Sequence, residues 1–465
     1  MKRFLIFSIS AMLMVPTPAA FAWADPFHTQ QLLPPKISPN NPELLREGTF
    51  ICAQNLPDYP LSALDVVDLT LCNNPQTRAI WAAAQLEAAQ LGQSKSQLLP
   101  SINANLNANQ NHTRGEKNTK NDSANLNLSW LLLDFGTRKA QIKRDTLLLE
   151  AALNTENDSV QSLIQTALKN FYTAQAQEAA VLSTLEAEKY AQESFEAAKN
   201  RYEVGVGTPA DQLQAQTAYS QATLKRISAQ GSSQIARANL LDSMGFQPTT
   251  KIVLATVQNL PKNLVLEKDI QKIIQQALKI RPDLKAQNLK TQAAKYNIQA
   301  AKSAGLPTLS FSASQSFNER LSPQPHIFNR SGTLGLTLNI PLFTGFERHY
   351  LIQSAQARYE STAAQEEVLK NQVALDVWQA HQNLLTALQT LKTTQDLIQS
   401  AKQSFDVAMG RYKAGVGNIL DLLSAQSSLA DAKLQKIQAQ LNWHAYRIDF
   451  AKAAGNLNYQ SLLLP

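Results

Sequence analysis

The segment Arg201-Tyr202-Glu203-Val204-Gly205-Val206-Gly207 recurs 210 residues later as Arg411-Tyr412-Lys413-Ala414-Gly415-Val416-Gly417. The same offset carries Arg138 onto Arg348, Asp211 onto Asp421 and Ala215-Gln216 onto Ala425-Gln426. An offset of 207 carries Pro75 onto Pro282 and Leu99-Pro100 onto Leu306-Pro307. Anchors in register mean that the chain is written twice, and an internal repeat constrains the fold more than any local pattern. The 465 residues therefore read as one duplicated, elongated subunit. Its first structural repeat covers residues 65–245 and its second 272–455. A segment over 25–64 precedes them, 246–271 joins them, and 456–465 is a tail.

Both repeats read in the same order. A helix from near Gln76 to Leu98, and its copy from Asp283 to Leu306, stops at a proline. Two strands follow, at about 101–111 and 123–133 in the first repeat and 308–318 and 331–341 in the second. A very long helix then leads to a glycine turn, with tips at 201–208 and 411–418, and a second helix returns.

The strands carry a period of two. Ile102, Ala104, Leu106 and Ala108 alternate with asparagines, and Ala124, Leu126, Leu128 and Trp130 with Asn125, Asn127 and Ser129. Leu309, Phe311 and Ala313 alternate with serines, and Leu334, Leu336, Leu338 and Ile340 with Thr333, Gly335, Thr337 and Asn339. One face is thus apolar and the other small and polar. A soluble sheet with one wet face shows the same alternation. Two features favour membrane strands: the polar face carries no charge, and the aromatics Trp130, Phe343 and Phe346 stand at strand ends, where a membrane interface places them. The polar stretches Asn111–Asp122 and Asn318–Arg330 read as long exterior loops. Four strands cannot close a barrel, and an open edge is not tolerated in lipid, so several chains must share one.

The long helices carry a coiled-coil seam. From Val373 the series Val377, Ala380, Leu384, Ala387, Leu391, Thr394, Ile398, Ala401, Phe405, Ala408 keeps a 4-3 spacing. The first repeat shows a rougher seam through Val160, Ile164, Ala167, Phe171 and Ala174, then Val181 and Leu185. A helix from Arg348 to Arg411 would be about 95 Å long at 1.5 Å per residue.

Residues 1–24 read as a signal peptide: Lys2 and Arg3, an apolar core from Phe4 to Val15, Pro16, and small-x-small sites at Ala20-Phe21-Ala22 and Ala22-Trp23-Ala24. The mature chain then begins at Trp23 or Asp25, outside the cytoplasm. Beyond that segment no run of 18 apolar residues exists, so a membrane-spanning helix is not available. The net charge is +7 with basic residues scattered, which does not fit nucleic acid. The two cysteines, Cys52 and Cys72, read as a disulfide in an oxidising compartment, against two buried thiols or a metal site. The six histidines are isolated and no nucleophile elbow or metal spacing occurs, so neither enzyme nor cofactor nor metal site is expected.

The two Arg-Tyr-x-x-Gly-x-Gly turns are each followed by an aspartate four residues on, and the strand pairs end in Leu132-Leu133-Asp134-Phe135-Gly136 and Pro341-Leu342-Phe343-Thr344-Gly345. On these motifs the whole mature chain resembles TolC-like outer membrane channel proteins, the outer membrane factors of efflux pumps and type I secretion systems. The resemblance implies a mainly α fold with membrane β structure: long coiled-coil hairpins plus four strands per chain in a shared twelve-stranded trimeric barrel. It implies a homotrimer in the cell outer membrane with a long periplasmic extension. The partners would be outer membrane lipid, a periplasmic membrane-fusion (adaptor) protein and an inner membrane pump of the RND or ABC type. The tips Arg201, Tyr202, Gly205, Val206, Gly207, Arg411, Tyr412, Gly415, Val416 and Gly417 would dock the adaptor. Asp421 would face the lumen at the aperture, the alternative being a helix N-terminal acid favoured by the dipole, and its counterpart Asp211 reads rather as such a structural acid. Some members carry a second acid three positions after the Asp421 site and an arginine where this chain has Gly417, so Ser424 and Gly417 imply a charge-poor aperture. The stretch from Leu71 to Arg78 is similar to the secretion-associated CyaE-like branch. Export of small molecules and of an unfolded polypeptide both stay open, and a non-conducting coiled-coil spacer is the remote alternative.

Overall fold

The computed structural model describes residues 25–33, 56–112, 114–115, 118–255, 269–322, 325 and 327–457. The expected signal peptide and Cys52 lie outside the described residues.

The duplication is visible in the element lengths. The first repeat holds α1 (Ala63–Asn73), α2 (Pro75–Ser96), β1 (Ser101–Asn111), β2 (Thr119–Leu133), α3 (Thr137–Glu203) and α4 (Pro209–Ser243). The second holds α5 (Ile270–Ile280), α6 (Pro282–Ser303), β3 (Thr308–Ser322), β4 (Ile327–Asn339), α7 (Glu347–Lys413) and α8 (Ile419–Ala453). Paired helices match residue for residue: 11 each for α1 and α5, 22 for α2 and α6, 67 for α3 and α7, 35 for α4 and α8. A 67-residue helix is about 100 Å long. Among the described residues no helix is long and apolar enough to cross a membrane.

The four strands form one antiparallel sheet in chain order. Ser101 pairs with Ser129 and Thr308 with Asn339. The repeat offset is thus 207 on the first strand of each hairpin and 210 on the second. The three extra residues lie at the far end of the β3–β4 hairpin. The expected exterior loops are shorter than the composition suggested, because pairing continues to Asn111↔Thr119 and Arg320↔Ile327. A polar side chain does not stop a backbone ladder, so loss of alternation is not loss of strand.

Two compact units cut across the duplication, each built from both repeats. The first comprises Met1–Pro34, Ala82–Leu153 and Gln287–Ala364 and contains the sheet. The second comprises Pro35–Trp81, Asn154–Ala286 and Gln365–Pro465. In the second unit α1 is enclosed, with Val66 and Leu69 packed on Phe171 and Leu240, and Val67 and Leu71 on Ile164 and Ile448. Its counterpart α5 buries only Ile273 and Ala277, against Val373 and Val377. Cys72 packs in the α1 core beside Leu168.

The α7 seam runs as the 4-3 spacing predicts: Val373, Val377, Ala380, Leu384, Ala387, Thr394, Ala401 and Phe405 are buried. The α3 seam slips. Leu185 is exposed, while Ser183 and Thr184 are buried and the seam resumes through Ala191, Ser194 and Ala198. A straight helix drifts against a seven-residue repeat, and a three-residue step around Glu178 resets it.

His444 on α8 lies flat on Tyr172 at 4.0 Å, with Trp443 at its edge. Burial, helped by the Arg447 charge, pulls its pKa down to about 4. The folded value lies below the unfolded one near 6.5, so below that pH the unfolded chain takes the proton first. Stability should fall as pH drops from 6.5 toward 4. Burial shifts Glu156 and Asp158 upward, which acts in the opposite sense. Comparing melting temperatures of native chain and His444→Phe across this window isolates the histidine, and the variant should show the shallower acid loss.

Candidate functional site

The sheet sorts its side chains by row. Asn103, Asn127, Ser314 and Thr333 are register partners across all four strands, and so are Asn105, Asn125, Ser316 and Ser331. Ser316 donates to Asn125 Oδ1 at 2.6 Å. The alternate rows carry Ile102, Leu128, Ala313 and Leu334, and Trp130, Phe311 and Leu336. The apolar residues Ile102, Leu106, Leu334, Leu336 and Leu338 are exposed. Among the described residues, β1 and β4 each have one edge without a partner strand. Over the alternating segments the sheet is apolar on one side and uncharged and hydrogen-bonding on the other; the charged residues Asp122, Glu319, Arg320 and Arg330 stand toward the hairpin ends.

Trp130 donates its indole N–H to Leu98 O at 2.9 Å, which fixes the ring at the α2–β1 connection. Phe343 and Phe346, beyond β4, are exposed and meet edge-to-face at 5.5 Å. The strand-to-helix joints beside these rings explain the motif pair. Each takes two successive residues in the left-handed region, Phe135-Gly136 and Gly345-Phe346, with the residue types exchanged. The arginine that follows holds the carbonyls at the C-terminal end of the preceding short helix. Arg138 donates to Gln97 O at 3.0 Å and to Asp134 Oδ2 at 3.0 Å, and Arg348 donates to Lys302 O at 3.1 Å. Burial works to raise the Asp134 pKa, but hydrogen bonds from Arg138 and Gly136 hold it below the ordinary carboxylate value. The offset flagged both arginines in the sequence, but their capping role has no sequence signal.

At the tips the two glycines have different jobs. In the first tip Val206 N donates to Arg201 O at 2.9 Å and Gly205 N to Tyr202 O at 3.0 Å, a Schellman closure. The second repeats it with Val416 to Arg411 O and Gly415 to Tyr412 O, both at 3.1 Å. Gly205 and Gly415 have φ of 80° and 81°, which this closure needs. Gly207 and Gly417 serve close approach. A Cβ on Gly417 would stand 2.8 Å from Tyr412 N and 2.9 Å from Arg411 C. Val206 and Val416 are exposed at the two turns.

The expected docking set divides. Arg411, Tyr202, Gly205, Val206, Gly415 and Val416 are exposed, and Arg201, Gly207 and Gly417 are partly covered. Tyr412 is only 3% exposed and packs with Phe405 and Ile419, so it holds the hairpin and presents no surface. Arg201 adds to this packing, with its guanidinium over the ring at 5.1 Å and a hydrogen bond donated to the Tyr412 carbonyl at 3.1 Å.

The two aspartates also divide. Asp211 closes a capping box with Thr208, the structural role the sequence favours for it. Asp421 is exposed in the first turn of α8, where Asn418 caps by accepting from Leu420 N instead. The Asp421 carboxylate makes no hydrogen bond or ion pair among the described residues. No cluster of metal-ligating side chains occurs among them either.

An open-edged, two-faced sheet joined to long helical hairpins is the build of an outer membrane channel subunit. The chain belongs to the outer membrane efflux protein family, whose model matches it twice, over residues 66–246 and 273–456. It is similar to Protein CyaE of Bordetella pertussis, 27% identical over 408 residues that cover 86% of this chain and 85% of that protein. It is 23% identical over 417 residues to outer membrane protein TolC of Escherichia coli, covering 84% and 81%. The solved outer membrane channel CmeC of Campylobacter jejuni shares the fold at a TM-score of 0.74, with 19% identity, over 87% of this chain and 91% of that one. Membership places the chain in the outer membrane.

Two outcomes are expected from this geometry. Arg138→Ala leaves the buried Asp134 carboxylate with only the backbone N–H groups of residues 136 and 138 and should cost about 1.5–3 kcal/mol, whereas the exposed Arg348→Ala should cost about 1 kcal/mol or less. Denaturant midpoints of the purified protein measure the difference. Gly417→Ala should open the second tip to limited proteolysis near residue 416 while the α-helical circular dichroism signal is kept.

Proposed function

We propose that this chain is the exit duct of a tripartite export system, a homotrimer in which three four-stranded sheets close one twelve-stranded barrel. The observation that carries this reading is the sheet with two unpaired edges and two unlike faces. Its strands of 11 to 15 residues meet or exceed the 9–11 that a tilted membrane strand needs. Backbone groups at the β1 and β4 edges need partners in lipid, and a second copy offers them. The rows of Asn, Ser and Thr then face the lumen, and the apolar rows, with Trp130, Phe343 and Phe346 near their ends, face lipid.

Transport through such a duct is passive, and energy comes from an inner membrane pump reached through an adaptor. The exposed Val206 and Val416 beside exposed glycine backbone support adaptor docking at the tips. The free Asp421 carboxylate supports a lumenal ring of three acids at the aperture, with cation binding as its consequence. Cys52 and Cys72 form the one disulfide of this reading. Export of an unfolded polypeptide, rather than of small molecules, is supported by the likeness to CyaE and by the Leu71–Arg78 stretch.

Planar-bilayer recording of the purified protein tests the reading, which expects a trimer with discrete conductance; a non-conducting protein would overturn it. Asp421→Ala should raise conductance and weaken block by divalent cations, and unchanged values would remove Asp421 from the aperture. A neighbouring gene for an ABC transporter, rather than for a proton-driven pump, would decide for polypeptide secretion.

A further inference from the structure

Within one chain the two hairpin tips are joined by two polar contacts. Arg201 on α3 donates to Tyr412 O on α7 at 3.1 Å, with its guanidinium over the ring. Two turns earlier on α3, Ser194 donates to Gln426 Oε1 on α8 at 3.1 Å, and both partners are buried. Ser194 and Arg201 are seven residues apart, so they share a helix face.

The repeat offset of 210 supplies a complete second set. Arg201 maps onto Arg411 and Ser194 onto Ser404, again seven apart on one helix. Their acceptors Tyr412 and Gln426 map back onto Tyr202 and Gln216. All four are exposed in the single chain, Tyr202 at 43%. None of the four side chains makes a hydrogen bond or ring contact among the described residues. The apolar residues around the joint are also duplicated, Phe405 by Phe195, Ala425 by Ala215 and Ala432 by Ala222. One chain therefore shows a satisfied joint and the two separated halves of a second.

We infer that the second joint forms between copies of this chain: Arg411 of one copy clamps Tyr202 of the next, and Ser404 donates to Gln216. The contact is head-to-tail, donor face on one side and acceptor face on the other, and such contacts close into rings. It rests on the trimer of the proposed function and names side chains that hold its tip. The two joints are alike but not identical. The ion pair Glu186–Lys433 and the ring pair Tyr190–Phe405 map onto Asp396 with Thr223 and onto Ser400 with Phe195, which cannot repeat them. The joint between copies thus relies on the arginine clamp and the serine–glutamine contact, whereas the joint within a chain has two further supports.

The test co-expresses two full-length chains, one carrying Tyr202→Cys and the other Arg411→Cys, and treats the purified assembly with a short thiol-to-thiol crosslinker. Denaturing electrophoresis should show a covalent dimer at least tenfold above that of the native chain treated alike. Ser404→Cys with Gln216→Cys provides an independent pair of surface positions and should behave the same way. Arg201→Cys and Tyr412→Cys placed in one chain should give only monomer-sized product. A trimer by light scattering that yields monomers with both intermolecular pairs would overturn the inference and leave the trimer standing. Absence of a trimer from the native protein would overturn the proposed function and this inference together.

Discussion

A four-stranded sheet has two rows of backbone N–H and C=O groups with nothing opposite them. In water such edges are an aggregation risk, and in hydrocarbon each unmet group costs several kcal/mol. The sheet of this protein ends in β1 and β4, which are long, regular and without proline. Neither edge strand is short, and along the alternating segments neither carries a charge, Arg330 standing near the start of β4. The edge is built to be paired. In the proposed trimer a symmetric operation would pair these edges, and the helices that follow each strand would then have to keep the same symmetry along their length.

That constraint explains why the repeats match so closely in length and so loosely in side chains. Helices of 67 and 35 residues recur unchanged, because a single added residue would rotate every later position by about 100° and misplace the seam. Individual contacts are freer. Arg138 is buried against Asp134, whereas Arg348 does the same capping in solvent with Thr344 in place of the acid. α1 is enclosed, but α5 covers one face only. Geometry is conserved between the repeats where register depends on it, and chemistry diverges where each element meets different surroundings.

The same distinction separates what could be read in the sequence from what could not. Period-two alternation located all four strands, and the 4-3 spacing located the α7 seam, because both patterns are imposed locally by burial on one face. The end of β1 at Asn111 was read correctly, but the start of β2 at Thr119, the end of β3 at Ser322 and the start of β4 at Ile327 were not legible, since ladder bonds continue through polar residues that carry no alternation. The slip at Leu185 was hidden because Ser183 and Thr184, the residues actually buried, look like surface residues. The contact of Tyr412 with Arg201 was not legible either, because the cation comes from the other hairpin, 211 residues away in sequence.

The two tip aspartates show how little sequence change separates a structural acid from one free to act. Both stand four residues after the second glycine, and both occupy the third position of a helix. Thr208 caps by accepting from Asp211 N, and its own backbone N–H is met by the Asp211 carboxylate, so that acid is consumed by the turn. Asn418, with a longer side chain, reaches Leu420 N one residue earlier. The reciprocal bond is then not formed, and the Asp421 carboxylate stays free in the positive field of the helix N-terminus. One residue type at the cap therefore decides which hairpin presents a charge. The same tip also exposes the basic side chains Arg411 and Lys413, so the free carboxylate is the acidic partner in a mixed set. Threefold repetition of the chain would gather that set into a ring.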